Sequence, residues 1–128
     1  MIEELGAYLE ANGGGVTVGT DLFYGNMPTE PSVCSALVPY EGAGFHRRQS
    51  GGRCEINRVQ LVHRAETYDS GIAAIRTMGE VLDGIVNETL GTSFYQRVEM
   101  LQPPFYLERD AADRYVFAVN FQVTREWA

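Results

Sequence analysis

The chain has 128 residues, 45% of them hydrophobic and 21% charged, a balance that fits one globular domain spanning 1–128 and excludes intrinsic disorder. Its formal net charge is −7 and all of its ten cations are Arg. It therefore lacks the clustered cations of a nucleic-acid binder and has no lysine for Schiff-base or P-loop chemistry.

Ile2 to Ala11 reads as a short helix, with Ile2, Leu5 and Leu9 on one stripe and Tyr8 flanking it. Asn12-Gly13 is a suitable stop, because both residues tolerate the left-handed conformation. Gly13 to Gly15 is a turn, and a first strand is expected from Val16 to Thr20 or on to Tyr24. Met27 to Pro31, with two prolines, is a loop. Ser32 to Tyr40 is the second strand. Glu41 to Gly52 holds four glycines and the run His46-Arg47-Arg48-Gln49-Ser50, and is expected to be a mobile loop.

Cys54 to Ala65 reads as a long strand in which Ile56 is out of phase with Val59 and Leu61, a mismatch that a bulge near Asn57 would absorb. Thr67 or Asp69 can cap a helix over about Ser70 to Glu88, whose Ile72, Ile75, Met78, Leu82 and Ile85 share a face. Phe94 to Leu101 and Tyr115 to Thr124 finish the chain as strands. The latter puts Tyr115, Phe117, Val119, Phe121 and Val123 on one side. The implied architecture is α+β: a mostly antiparallel sheet of about four to five strands with two helices packed on one face.

The residues that carry chemistry do not form a recognised constellation. His46, His63, Cys34 and Cys54 are scattered, whereas zinc sites place ligands in close pairs, so no metal is expected. The acidic opening Met1-Ile2-Glu3-Glu4 is unlike a signal peptide, and no run approaches the roughly 18 apolar residues of a membrane span. A reducing cytoplasm follows, and it argues against a Cys34–Cys54 disulfide. Gly13 to Gly15 lacks the spacing of a phosphate loop, and Ser50 lacks a nucleophile elbow. No catalytic residue, cofactor or membrane partner is expected. The side chains suited to protein contact are Phe45 with Arg47 and Arg48, which offer an apolar anchor and bidentate donors, and Tyr106 and Trp127 at element ends.

Five segments in order resemble a phage minor capsid protein family similar to the tail terminator and tail completion proteins of long-tailed phages. They are Leu5-Gly6-Ala7-Tyr8-Leu9, then Gly19-Thr20-Asp21-Leu22-Phe23 before Met27-Pro28, and Val59 to Ala65 running into Tyr68. Leu101-Gln102-Pro103-Pro104-Phe105 and Phe117-Ala118-Val119-Asn120-Phe121 complete the set. The resemblance implies a non-enzymatic virion subunit that forms a ring, typically a hexamer, at the head-proximal end of the tail tube. It also implies contact with the tube protein and the head–tail connector, and passage of genome DNA through the channel without specific binding. An acidic subunit suits that last expectation, since it repels phosphate. Two other readings remain at this stage: a head-completion or connector protein, and a small ligand-binding regulatory α+β domain.

Overall fold

Local sequence sets the first element. In the computed structural model, which describes residues 1–47 and 53–127 and only the backbone of 41–47, 53 and 127, helix α1 runs Ile2–Ala11. It ends where expected: the Asn12 amide and Gly14 N–H return to the carbonyls of Tyr8 and Leu9, and Gly13 takes a positive φ of 86°. Seven strands follow, interrupted by one long helix: β1 (Leu22–Tyr24), β2 (Cys34–Arg47), β3 (Arg53–Ala65), α2 (Tyr68–Asp83), β4 (Val86–Leu90), β5 (Ser93–Met100), β6 (Phe105–Arg109) and β7 (Tyr115–Trp127). They form one sheet in the order β1-β2-β3-β7-β5-β4, with β6 also pairing β7. Only β1 against β2 is parallel; the other strand pairs are antiparallel.

The α+β class and the two helices on one face are as the sequence implies, but the sheet has seven strands where four to five are expected. The first strand is shorter than expected, and two added strands, β4 and β6, account for the difference. The first strand is confined to Leu22–Tyr24, preceded by an isolated bridge at Val18. The second helix stops at Asp83, not near Glu88, and Val86–Leu90 becomes the edge strand β4. The Asp83 carboxylate leaves the helix to accept the Met100 N–H at 2.8 Å and to pair with Arg97, and Gly84 follows as the cap. The segment after Pro103-Pro104, expected to be a connection, continues along β7 as β6.

The Glu41–Gly52 expectation is also corrected. Residues 41–47 extend β2, with Gly44, Phe45, His46 and Arg47 opposite Ile56, Glu55, Cys54 and Arg53. The bulge lies on β2, not on β3: the backbone between Tyr40 and Gly44 swells opposite Asn57, while β3 runs unbroken along β7. Ile56 needs no correction of phase, because it occupies the face opposite the helices, with Arg58 and Gln60. Residues 48–52 lie outside the described residues.

The core lies between the helices and the sheet. Leu5 and Leu9 of α1 and Ile75, Met78 and Leu82 of α2 pack with Leu37, Val59, Leu61, Phe117, Val119, Phe121 and Val123. The α2 stripe and the β7 face thus meet as their matching periods require. Thr67 caps α2 through its hydroxyl, which accepts the Ser70 N–H. Gly71 brings α2 close enough to β7 that an added Cβ would collide with the Phe117 ring.

Two polar clusters tie the outlying loops to this frame. Arg64, only 5% exposed, donates to the carbonyls of Pro28, Thr29, Pro31 and Ser32, fastening that loop over the end of the sheet. Arg125 pairs with Glu55 at 2.8 Å, and the Tyr95 hydroxyl donates to Glu4 at 2.6 Å, which locks α1 to β5. Burial and the Glu4 carboxylate push the Tyr95 phenol well above its usual range.

Candidate assembly interface

The surface residues singled out in the sequence fall at two separate ends of the sheet. Phe45 opposes Glu55, which opposes Arg125; Arg47 opposes Arg53, which opposes Trp127. Strand register therefore brings the backbones of Phe45, Arg47 and Trp127 to one end. Arg48 lies outside the described residues. Tyr106 is elsewhere: it opposes Phe117, ten residues along β7 from Trp127 (positions 117 and 127), or roughly 33 Å at the usual strand rise.

At the Tyr106 end the structure builds an aromatic patch. Tyr68 opens α2 and lays its ring 5.3 Å from Phe117 and 6.3 Å from Tyr106. Tyr106 lies 6.0 Å from Phe117 and 6.2 Å from Tyr115, all at tilted or edge-to-face angles that suit the ring quadrupoles. Phe117 is fully buried beneath, whereas Tyr68 is 46% and Tyr106 43% exposed. Leu107 beside them is also exposed. The Arg109 guanidinium stacks 4.3 Å from the Tyr115 ring centroid and pairs with Asp113. β6 pairs β7 along one side, and among the described residues no strand pairs its other edge, next to these rings. Amphipathic rings beside an open strand edge are the composition of a protein contact. Tyr68 was not singled out beside Tyr106 in the sequence, because their contact depends on β6.

A second constellation escaped the sequence altogether. Asp21, Ser35 and His63 line one cavity of about 160 Å³ between the Gly14–Asp21 loop, the start of β2, the end of β3 and the first turns of α2. Ser35 Oγ lies 2.7 Å from His63 Nδ1 and donates to Met78 Sδ at 3.6 Å. Burial pushes the His63 pKa down to about 4, opposed by the nearby Asp21 charge. Cys34 and Cys54 are free thiols; Cys34 opposes Arg64, ten residues along β3 from Cys54 (positions 64 and 54), so no bond between them fits the register. Among the described residues no group of three or more His, Cys, Asp and Glu is placed to hold a metal, and no helix is long and apolar enough to cross a membrane.

The fold is a two-helix, seven-strand α+β domain with an aromatic patch at one end of its sheet. The bacteriophage tail terminator protein family matches residues 8–127, nearly the whole chain, and the protein belongs to that family. Its fold is similar to that of a chain in the virion of a native gene transfer agent particle, at 16% sequence identity and a TM-score of 0.62, over 96% of this chain and 84% of that one. No curated protein matches the chain. Membership makes the protein a structural component of the bacteriophage tail, a role that implies no enzymatic activity.

Proposed function

We propose that the subunit forms a head-to-tail ring, typically a hexamer, that caps the tail tube and joins the tail to the head connector. The observation that carries this reading is the placement of two candidate docking regions at opposite ends of one sheet, roughly 33 Å apart. The end where the backbones of Phe45, Arg47 and Trp127 meet would contact a carboxylate-rich partner through arginine; the Tyr68 and Tyr106 end offers rings. A ring between tube and connector needs two such ends on every subunit. Its sides come from the sheet edges, β1 on one flank and β4 with β6 on the other. These are different surfaces, so contact between copies is heterologous and closes into a ring when the rotation fits. Genome DNA would pass the channel of this acidic assembly without being held.

Native mass measurement tests the ring first. Six copies of 14.2 kDa make about 85 kDa, and a particle near that mass is expected. A monomer at tens of micromolar would sink the hexamer. The two ends are then separated by variants. Changing Arg47 and Arg48 to Ala should impair one junction, seen as abnormal tail length or as tails that fail to join heads. Tyr68→Ser with Tyr106→Ser should impair the other. Normal tails joined at the normal rate in both variants would remove the two-ended reading.

A further inference from the structure

The aromatic end of the sheet holds one complete example of a contact that two of its rings leave unfinished. The Arg109 guanidinium lies 4.3 Å from the Tyr115 ring centroid and pairs with the Asp113 carboxylate at 3.0 Å, so ring, cation and carboxylate meet in one place. Tyr68 and Tyr106 belong to the same cluster, with centroids 6.1 and 6.2 Å from that of Tyr115, and are 46% and 43% exposed. No guanidinium lies over either ring among the described residues. Carboxylates stand beside them in the chain. Asp69 follows Tyr68 in the first turn of α2, Glu66 comes shortly before it, and Glu108 lies just beyond Tyr106 on β6. Glu66, Asp69 and Glu108 are exposed, and their side chains have no ion pair or hydrogen bond among the described residues. The nearby arginines are already engaged, Arg109 with Asp113 and Arg114 with Asp110 at 2.8 Å. The N-terminus of α2 offsets only about half of one charge.

We propose that this surface docks an arginine-bearing face of a neighbouring virion protein, whose guanidinium groups stack on Tyr68 and Tyr106 and pair with Glu66, Asp69 and Glu108. The inference rests on the ring reading above and names the chemistry of the partner at one of the two ends. Leu107, 47% exposed, adds apolar contact. An acidic partner would set carboxylate against carboxylate, and a wholly apolar one would take the carboxylates out of water with no counter-charge. DNA is disfavoured by the same repulsion. Arginine suits the surface better than lysine, because its planar fork stacks on a ring and still donates in bidentate fashion to a carboxylate, as Arg109 illustrates within the chain. The other end of the sheet is read as the arginine end, so the two ends of one subunit differ in sign. A ring inserted upside down would then meet like charge at both junctions, which fixes its orientation.

The test measures binding of the full-length protein to purified tails assembled without it, and separately to heads that carry the connector, at about 50 mM and about 300 mM salt. The variant combining Glu66→Gln, Asp69→Asn and Glu108→Gln should bind one of the two structures about tenfold more weakly at low salt. The difference should shrink at high salt, where exposed charges are screened. Its binding to the other structure and its native mass should stay as in the wild type. Glu108→Arg, away from the helix end, should give the same loss if the triple variant folds poorly. Tyr68→Phe with Tyr106→Phe keeps both ring faces and should bind within about twofold of the wild type. Equal or tighter binding by the folded charge variants, while the wild type binds, overturns this inference alone. A changed native mass in the triple variant also overturns it, since the surface then joins copies of this chain. Wild-type protein that binds neither tails nor heads overturns the ring reading and this inference with it.

Discussion

Gly71→Ala probes the closest approach in the fold. In an ordinary helix, replacing Gly with Ala gains about 1 kcal/mol of propensity. At Gly71 the new Cβ meets the Phe117 ring well inside van der Waals contact, and lies 3.0 Å from Ala65 Cβ. Phe117 cannot withdraw: it is fully buried, with the Tyr68 and Tyr106 rings stacked over it. Overpacking of this kind costs about 1–3 kcal/mol, which cancels or exceeds that gain, so the net expectation is destabilisation by up to about 2 kcal/mol. Urea denaturation at one fixed protein concentration reads this as a lowered midpoint with an unchanged slope. Gly84→Ala is the control, since a Cβ there meets nothing closer than the Val81 carbonyl at 3.5 Å; it should be neutral or slightly stabilising. If Gly71→Ala raises the midpoint as propensity alone predicts, α2 does not sit on β7 as described.

Leu82→Ala opens a cavity at a fully buried position of the α2 stripe and should cost about 2–5 kcal/mol; a measured loss below roughly 0.5 kcal/mol contradicts its burial. His63 should make stability fall with pH. Its folded pKa of about 4 lies below the usual 6.5, so the unfolded chain takes a proton that the folded chain refuses. Stability present at pH 7 is then lost between pH 6.5 and 4, by about 3 kcal/mol in all, and His63→Asn should flatten that part of the profile. Arg64→Met removes a buried guanidinium bonded to four loop carbonyls; a loss of about 3 kcal/mol is expected, with faster amide exchange over residues 28–32. Unchanged exchange there would show that the loop is held by something else.

Periodicity exposed the parts of the fold whose faces differ in polarity. Both helices, the β3 and β7 strands and the α2–β7 contact follow from it, because a one-sided apolar stripe has a single way to be buried. β4 was hidden because Ile85 continues the α2 stripe, although Gly84 and the Gly91 turn (φ 60°) mark a helix end and a hairpin. β6 was hidden by Pro103-Pro104, which remove backbone donors and suggest a connection; the strand resumes at Phe105. Tyr106 was readable as a surface residue, but its partner Tyr68 was not, since only β6 brings them together. The cavity pair was invisible for a simpler reason: Ser35 and His63 are 28 residues apart, and a β2–β3 register is needed to set them side by side.

The central claim is positional, and electron microscopy of an intact virion neck tests it most directly. Density matching the two-helix, seven-strand subunit should form a closed ring between the last ring of the tail tube and the head connector. One end of each sheet should face the tube and the other the connector. Finding the subunit on the head side of the connector, or as isolated copies that form no ring, would contradict the account.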